Sequence, residues 1–192
     1  MYPMTDTEAM DALRRGDSEG MGALVARYQT RALRLAYQIT RDRAMAEDII
    51  ADAFLVVFRH AGRQDSSRPF EPWFLRIVAN RAISYARRRA RFQRLAHLLQ
   101  GDDRSEAPDE VADRREIGRE VADALKRIPP AERAALSLRY VMDLDERSVA
   151  EIMQKPIGTV KTLLHRGRHR LQRQLLAAGG GVAAMSTTGG KL

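Results

Sequence analysis

The sequence predicts an all-α protein: two helical domains joined by a flexible linker, the C-terminal one containing a helix-turn-helix. Three observations carry that expectation. Ala, Leu and Arg are abundant, Val/Ile/Thr alternation is scarce and long stretches lack Gly and Pro, a pattern that favours helix over sheet. A polar segment holding Gly101 and Pro108 separates two apolar-periodic regions, as a linker does. Residues 145–171 then show the apolar spacing of two short helices meeting at a tight turn, the second densely basic.

The elements follow in order. Residues 5–15 form a short amphipathic segment, and residues 19–40 place Leu24, Val25, Tyr28, Leu35 and Ile39 as apolar anchors. Residues 43–60 carry Ala46, Ile50, Ala53, Phe54 and Val57 on one face at helical spacing. The opposite face is Asp48, Asp52, Leu55 and Arg59. A Leu flanked by carboxylates and an Arg reads equally as a docking stripe for a protein or as a solvated face with one stray apolar residue. After a loop over residues 61–70, a long helix is expected over residues 72–94. Its apolar side is Trp73, Phe74, Ile77, Val78 and Tyr85, and its polar stripe is Arg76, Asn80, Ser84, Arg87, Arg91 and Arg94. Arg side chains on such a stripe can neutralise phosphates.

In the C-terminal region Val149, Ala150, Met153, Val160 and Leu163 fall where paired helices need apolar or small groups. Pro156 cannot continue a helix from Met153 but suits the opening of the next. That next helix carries Lys161, His165, Arg166, Arg168, His169, Arg170 and Arg173, and no acidic residue occurs over residues 154–178. A basic helix presented by a partner helix is how side chains enter a DNA major groove. The Gly- and small-residue-rich end from Gly179 onwards is expected to be disordered.

Charge is unevenly placed along a chain of net +8 and pI near 10.4. Residues 1–60 sum to −1, 61–100 to +7, 101–132 to −4, 133–153 to −1 and 154–178 to +6. Two basic blocks separated by an acidic spacer suggest a chain that touches a polyanion at two places. With no Cys, disulfides and thiolate metal sites are excluded, which fits a reducing cytoplasm. The first residues are acidic and polar where a signal peptide would be basic and then apolar, and no run approaches a membrane span. A soluble, cytoplasmic protein is expected. His165 and His169 lie one turn apart without a third ligand nearby, so no metal is expected. Glu47, Asp48 and Asp52 lack the accompanying groups of a catalytic site, so neither enzymatic activity nor a cofactor is expected.

Three segments carry a resemblance to bacterial RNA polymerase sigma factors of the extracytoplasmic-function (ECF) group, within the sigma-70 family. Residues 46–55, AEDIIADAFL, resemble the segment that docks on the polymerase clamp helices. Residues 70–90, FEPWFLRIVANRAISYARRRA, resemble the promoter −10 helix, and residues 128–171 resemble the −35-binding domain. The sequence departs from the family's usual residues at Ala51, Ser84, Gln154 and Lys155. At Gln154 a left-handed conformation would cost about 1–2 kcal/mol, unless Pro156 enforces a different turn.

The resemblance implies a domain for core docking and −10 recognition over residues 1–97, a linker over 98–112, a −35 domain over 113–177 and a tail over 178–192. Docking falls to Asp48, Asp52, Leu55 and Arg59. Contacts to the −10 element fall to Gly62, Arg63, Gln64, Asp65 and Ser66 of the loop, where the family captures a flipped base, and to Arg76, Asn80, Arg87 and Arg88. The −35 set is Lys155, Thr159, Lys161, Thr162, His165, Arg166, Arg168 and His169. With Val160, Leu163, Leu164, Gly167 and Leu171 buried, Lys161, Thr162, His165 and Arg166 become the base readers. The implied partners are RNA polymerase core through the clamp helices of its beta-prime subunit, promoter DNA and an anti-sigma factor. The alternative is a helix-turn-helix regulator that binds DNA without joining polymerase; such a protein would need neither the docking helix nor the second basic helix.

Overall fold

The computed structural model describes residues 4–63, 65, 68–100, 121 and 123–177, with side chains of 96–100 excepted. Among them there is no strand and no helix long and apolar enough to cross a membrane. Helix α1 (Asp6–Arg14) opens on a capping box: the Thr5 N–H donates to Glu8 Oε2 at 2.7 Å, and the Glu8 N–H to Thr5 Oγ1 at 3.3 Å. This satisfies two backbone donors that a helix start leaves open. Gly16, at φ 84°, turns the chain into α2 (Ser18–Thr40), which Asp17 caps. The two helices cross at Gly20, where a Cβ would stand 2.2 Å from the Ala9 carbonyl oxygen. Asp42 caps α3 (Arg43–His60), whose bounds are those expected from its periodicity.

Helix α4 (Phe70–Gln100) is longer than expected at both ends. Pro72 is tolerated in the first turn, where its missing N–H has no intrahelical acceptor. No breaker occurs before Gly101, so the helix runs three residues into the segment assigned to the linker. The rest of the linker and the tail lie outside the described residues. Phe70 and Phe74 stack at 5.5 Å, with Tyr28 and Phe54 against them, joining α2, α3 and α4.

The described part of the C-terminal domain opens on helical residues 121 and 123–126, followed by α5 (Pro130–Leu136). The latter passes into a π-helical segment, Ser137–Val141, that the sequence pattern did not suggest. Then come α6 (Glu146–Met153) and α7 (Ile157–Ala177). Val149, Met153, Val160 and Leu164 are buried between them, while Ala150 and Leu163 are partly buried. Gly167 lets α7 approach α5, since a Cβ there would meet Leu136 at 3.0 Å.

At the turn Gln154 does take the left-handed conformation, φ 51° and ψ 48°. Its N–H and that of Lys155 return to the Ala150 and Glu151 carbonyls, closing the end of α6. The Gln154→Gly variant should therefore gain about 1 kcal/mol of stability, read as a higher midpoint in thermal or urea denaturation; an unchanged or lower midpoint would show that the strain is absorbed elsewhere.

The two domains pack on one another. α5 rests on α2 and α4, α6 on α4, and Ile128, Leu138, Met142, Val149 and Ile152 belong to the same apolar cluster as Leu24, Leu35 and Phe74. Arg31 of α2 pairs with Glu71 of α4 and donates through Nη2 to the Met142 carbonyl at 2.9 Å.

Candidate functional site

Three surfaces gather the residues singled out above. On α7 the buried side is Val160, Leu164 and Gly167, with Leu163 and Leu171 partly buried. That leaves Gly158, Thr159, Lys161, Thr162, His165, Arg166, Arg168 and His169 exposed along the outer side. His165, Arg166 and His169 make no hydrogen bond or ion pair among the described residues, so they are free to meet a ligand. Lys161 lies 3.8 Å from Glu146, Thr162 Oγ1 donates to the Gly158 carbonyl at 2.9 Å, and Arg168 reaches the exposed Tyr140 hydroxyl at 3.3 Å. Arg170 is engaged, pairing at 3.1 Å with the buried Glu132 of α5. Lys155 is half-buried at the turn. Asp145 accepts from the Ser148 N–H at 2.7 Å, and that backbone hydrogen bond holds its carboxyl below the usual carboxylate range. The cap orients α6, and through the turn it sets where α7 points.

The second surface runs along α4 from the loop before it. Arg76 is half-buried; Asn80, Ser84, Arg87, Arg88, Arg91 and Arg94 are exposed. Not every cation of this block is available. Arg81 pairs with Asp52 of α3 at 2.6 Å, and Arg89 with the cap residue Asp42 at 2.8 Å. These pairs tie α4 to α3 and leave the Arg76, Asn80, Arg87 line as the outward basic stripe. In the loop, Gly62, Arg63 and Asp65 are exposed, with Arg68 3.4 Å from Asp65. Gln64 and Ser66 lie outside the described residues. Arg14 anchors the loop's start by donating to the Ala61 carbonyl at 3.0 Å.

The third surface is α3. Asp48, Asp52, Leu55 and Arg59 all face solvent, with Leu55 49% exposed. Phe58, 60% exposed, lies beside Leu55 at the i+3 position. Sequence reasoning missed it. Its signal was present, because Phe58 falls off the 46, 50, 53, 57 apolar face; two large exposed apolar groups make an ordinary solvated face a poorer description. His165 and His169 have no third ligand nearby: no group of three His, Asp or Glu suited to a metal exists among the described residues.

Comparisons with known proteins identify the family. The family pattern described as Sigma-70 region 2 matches residues 24–92, and that described as Sigma-70, region 4 matches residues 118–171. The ECF RNA polymerase sigma factor SigE of Mycolicibacterium smegmatis is 32% identical over 178 residues, covering 89% of this chain and 68% of that protein. RNA polymerase sigma-H factor of Pseudomonas aeruginosa is 28% identical over 180 residues, covering 88% and 93%. Among solved structures, CnrH in complex with the cytosolic domain of CnrY has the same fold, with a TM-score of 0.67 at 22% identity, covering 90% of this chain and 97% of that one. The sigma factor RpoE in complex with the anti-sigma factor NepR from Bartonella quintana follows at a TM-score of 0.57 and 22% identity, covering 76% and 91%. With region 2 on α2–α4, region 4 on the helix-turn-helix and SigE as a relative along most of its length, the chain belongs to the sigma-70 family as an ECF-group, polymerase-associated sigma factor.

Proposed function

We propose that the three surfaces divide the work of promoter-directed initiation. The α3 face, Asp48, Asp52, Leu55, Phe58 and Arg59, docks on the clamp helices of the polymerase beta-prime subunit. The loop over residues 62–66, with Arg76, Asn80, Arg87 and Arg88, holds the −10 strand and the adjoining duplex. Extruding a base costs a few kcal/mol of stacking, which contacts from this loop would offset. The outer side of α7 enters the −35 major groove, with Lys161, Thr162, His165 and Arg166 on base edges. Lys155, Thr159, Arg168 and His169 meet the backbone. The domain boundaries fall near Gln100 and before residue 121, leaving the acidic segment as the connection. An anti-sigma protein restrains the factor, as the RpoE and CnrH structures carry partner chains. The protein catalyses no bond change itself, since polymerisation belongs to its partner, and it works in the cytoplasm without a cofactor.

The observation that carries this reading is the coexistence of two exposed basic surfaces, on α4 and α7, with an exposed apolar pair on α3. A regulator binding DNA alone would use only the first kind. Strand holding is tested with Arg76→Ala and Asn80→Ala in reconstituted holoenzyme. Each should lower permanganate reactivity of −10 thymines by roughly fivefold to tenfold, about the worth of one or two base or phosphate contacts, while the −35 footprint stays in place. Equal loss of both signals would mean the variants damage the fold or docking rather than strand binding.

A further inference from the structure

Arg168 differs from His165 and Arg166 beside it in having a partner on another element. It stands at the i+3 position from His165 and the i+7 position from Lys161, so it continues their line along the outer side of α7. Its Nη1 donates to the Tyr140 hydroxyl at 3.3 Å, 28 residues back in the chain.

Tyr140 is within reach because of the π-helical segment. Over Ser137–Val141 the Met142 N–H returns to the Ser137 carbonyl at 3.0 Å, one residue further back than in an α-helix. Leu138 and Met142 stay buried to either side of the widened turn, while Tyr140 and Val141 are turned to solvent, Tyr140 54% exposed. The exposed ring is nevertheless braced. The Arg139 guanidinium lies over it, 5.7 Å from its centroid, and donates through Nη1 to the Leu144 carbonyl at 3.2 Å. Leu144 is fixed in turn, its N–H donating to the Leu138 carbonyl at 3.2 Å. A continuous set of contacts thus runs from the core residue Leu138 out to Arg168.

We propose that Tyr140 is a positioning residue for −35 binding: its hydroxyl, presented by the π-helical segment, holds the Arg168 guanidinium in line with the DNA backbone, a role that rests on the assignment of α7 to the −35 duplex.

Entropy and charge both support this. A long Arg side chain gives up rotamer freedom when it clamps a phosphate, and one that is already held gives up less. Tyr is a suitable post, since it has only two χ angles to fix and its ring is stacked under Arg139. The partner is also neutral. A carboxylate would hold Arg168 as firmly but would cancel the charge a phosphate has to meet. Arg170 of α7 and Arg81 and Arg89 of α4 are held in that other way, by Glu132, Asp52 and Asp42. Arg168 is held with its charge intact.

The test uses holoenzyme reconstituted with the full-length chain, binding a −35-containing duplex over a series of salt concentrations. Tyr140→Phe keeps the ring and its contact with Arg139. It should weaken binding about fivefold, the worth of ordering one long side chain, and by the same factor on a scrambled duplex, because a backbone contact does not read sequence. Arg168→Gln should weaken binding further and lower the slope of log affinity against log salt by about 0.9, the loss of one phosphate contact. Adding Tyr140→Phe to Arg168→Gln should then cost nothing more. Both side chains are exposed, so denaturation midpoints should stay near that of the parent. Parent-like binding by Tyr140→Phe, or an equal loss with and without Arg168, would overturn the positioning role. A fallen midpoint accompanying the loss would assign the hydroxyl to folding instead. Unchanged affinity and salt slope in Arg168→Gln itself would be a different failure: it would remove Arg168 from the DNA backbone, and with it the reading beneath the proposal.

Discussion

Replacing His165 and Arg166 together by Ala should abolish −35 recognition while leaving polymerase binding intact. Both side chains are exposed on the outer side of α7 and make no hydrogen bond or ion pair among the described residues, so their loss opens no cavity and orphans no buried group. Helix propensity favours Ala at both positions, and α7 should keep its shape. What disappears is a guanidinium able to take both acceptors of a guanine edge, worth about 1–3 kcal/mol of discrimination, together with a second donor one position away. The expected result is a fall of about a hundredfold in the preference of holoenzyme for a −35-containing duplex over a scrambled one, measured by competition binding at fixed salt. Salt must be fixed because the phosphate contacts proposed for Arg168 and its neighbours would give affinity irrespective of sequence. If core binding falls in parallel, α7 has been given the wrong role.

The complementary variant is Leu55→Asp, which should cost at least about 2 kcal/mol of core affinity, thirtyfold or more, in the range of an interface hot spot. Leu55 and Phe58 form the apolar centre of the α3 face, rimmed by Asp48, Asp52 and Arg59. A carboxylate at that centre would be desolvated without a partner on docking. Because Leu55 is half exposed in the free chain, the substitution should leave the denaturation midpoint nearly unchanged. Phe58→Ala should weaken core binding less, by lost burial alone. Native electrophoresis with core polymerase checks both, and DNA binding through α7 provides the control.

The variants also show which parts of the molecule were legible in the residues. α3 could be bounded at both ends because Asp42 caps it and its apolar face repeats every three or four residues. The helix-turn-helix was legible for a similar reason: Val149, Met153, Val160 and Leu164 meet across a turn that Pro156 punctuates. What the pattern could not supply was long-range pairing. Arg81 and Arg89 count towards the +7 of residues 61–100, and only the fold brings Asp52 and Asp42, 29 and 47 residues away, to neutralise them. The π-helical segment Ser137–Val141 has no propensity signature of its own, because it inserts one residue into a ladder that otherwise looks α-helical. Contact between the domains was equally hidden, since the apolar residues that make it also serve each domain's own core. Gln154 lay between these extremes. Its position at a helix end raised the left-handed conformation, and the structure adopts it at a site where Gly would be unstrained.

A factor built this way should direct core polymerase to promoters through two DNA contacts. Run-off transcription with the purified chain and core polymerase on a library of promoter-length DNA, followed by sequencing of the transcripts' start regions, decides this. Transcripts should appear only when the chain is present, sharing one motif near −10 and another near −35, with the second lost in the His165/Arg166 variant. Transcription that does not depend on the chain, or the lack of any stable complex with core, would contradict it.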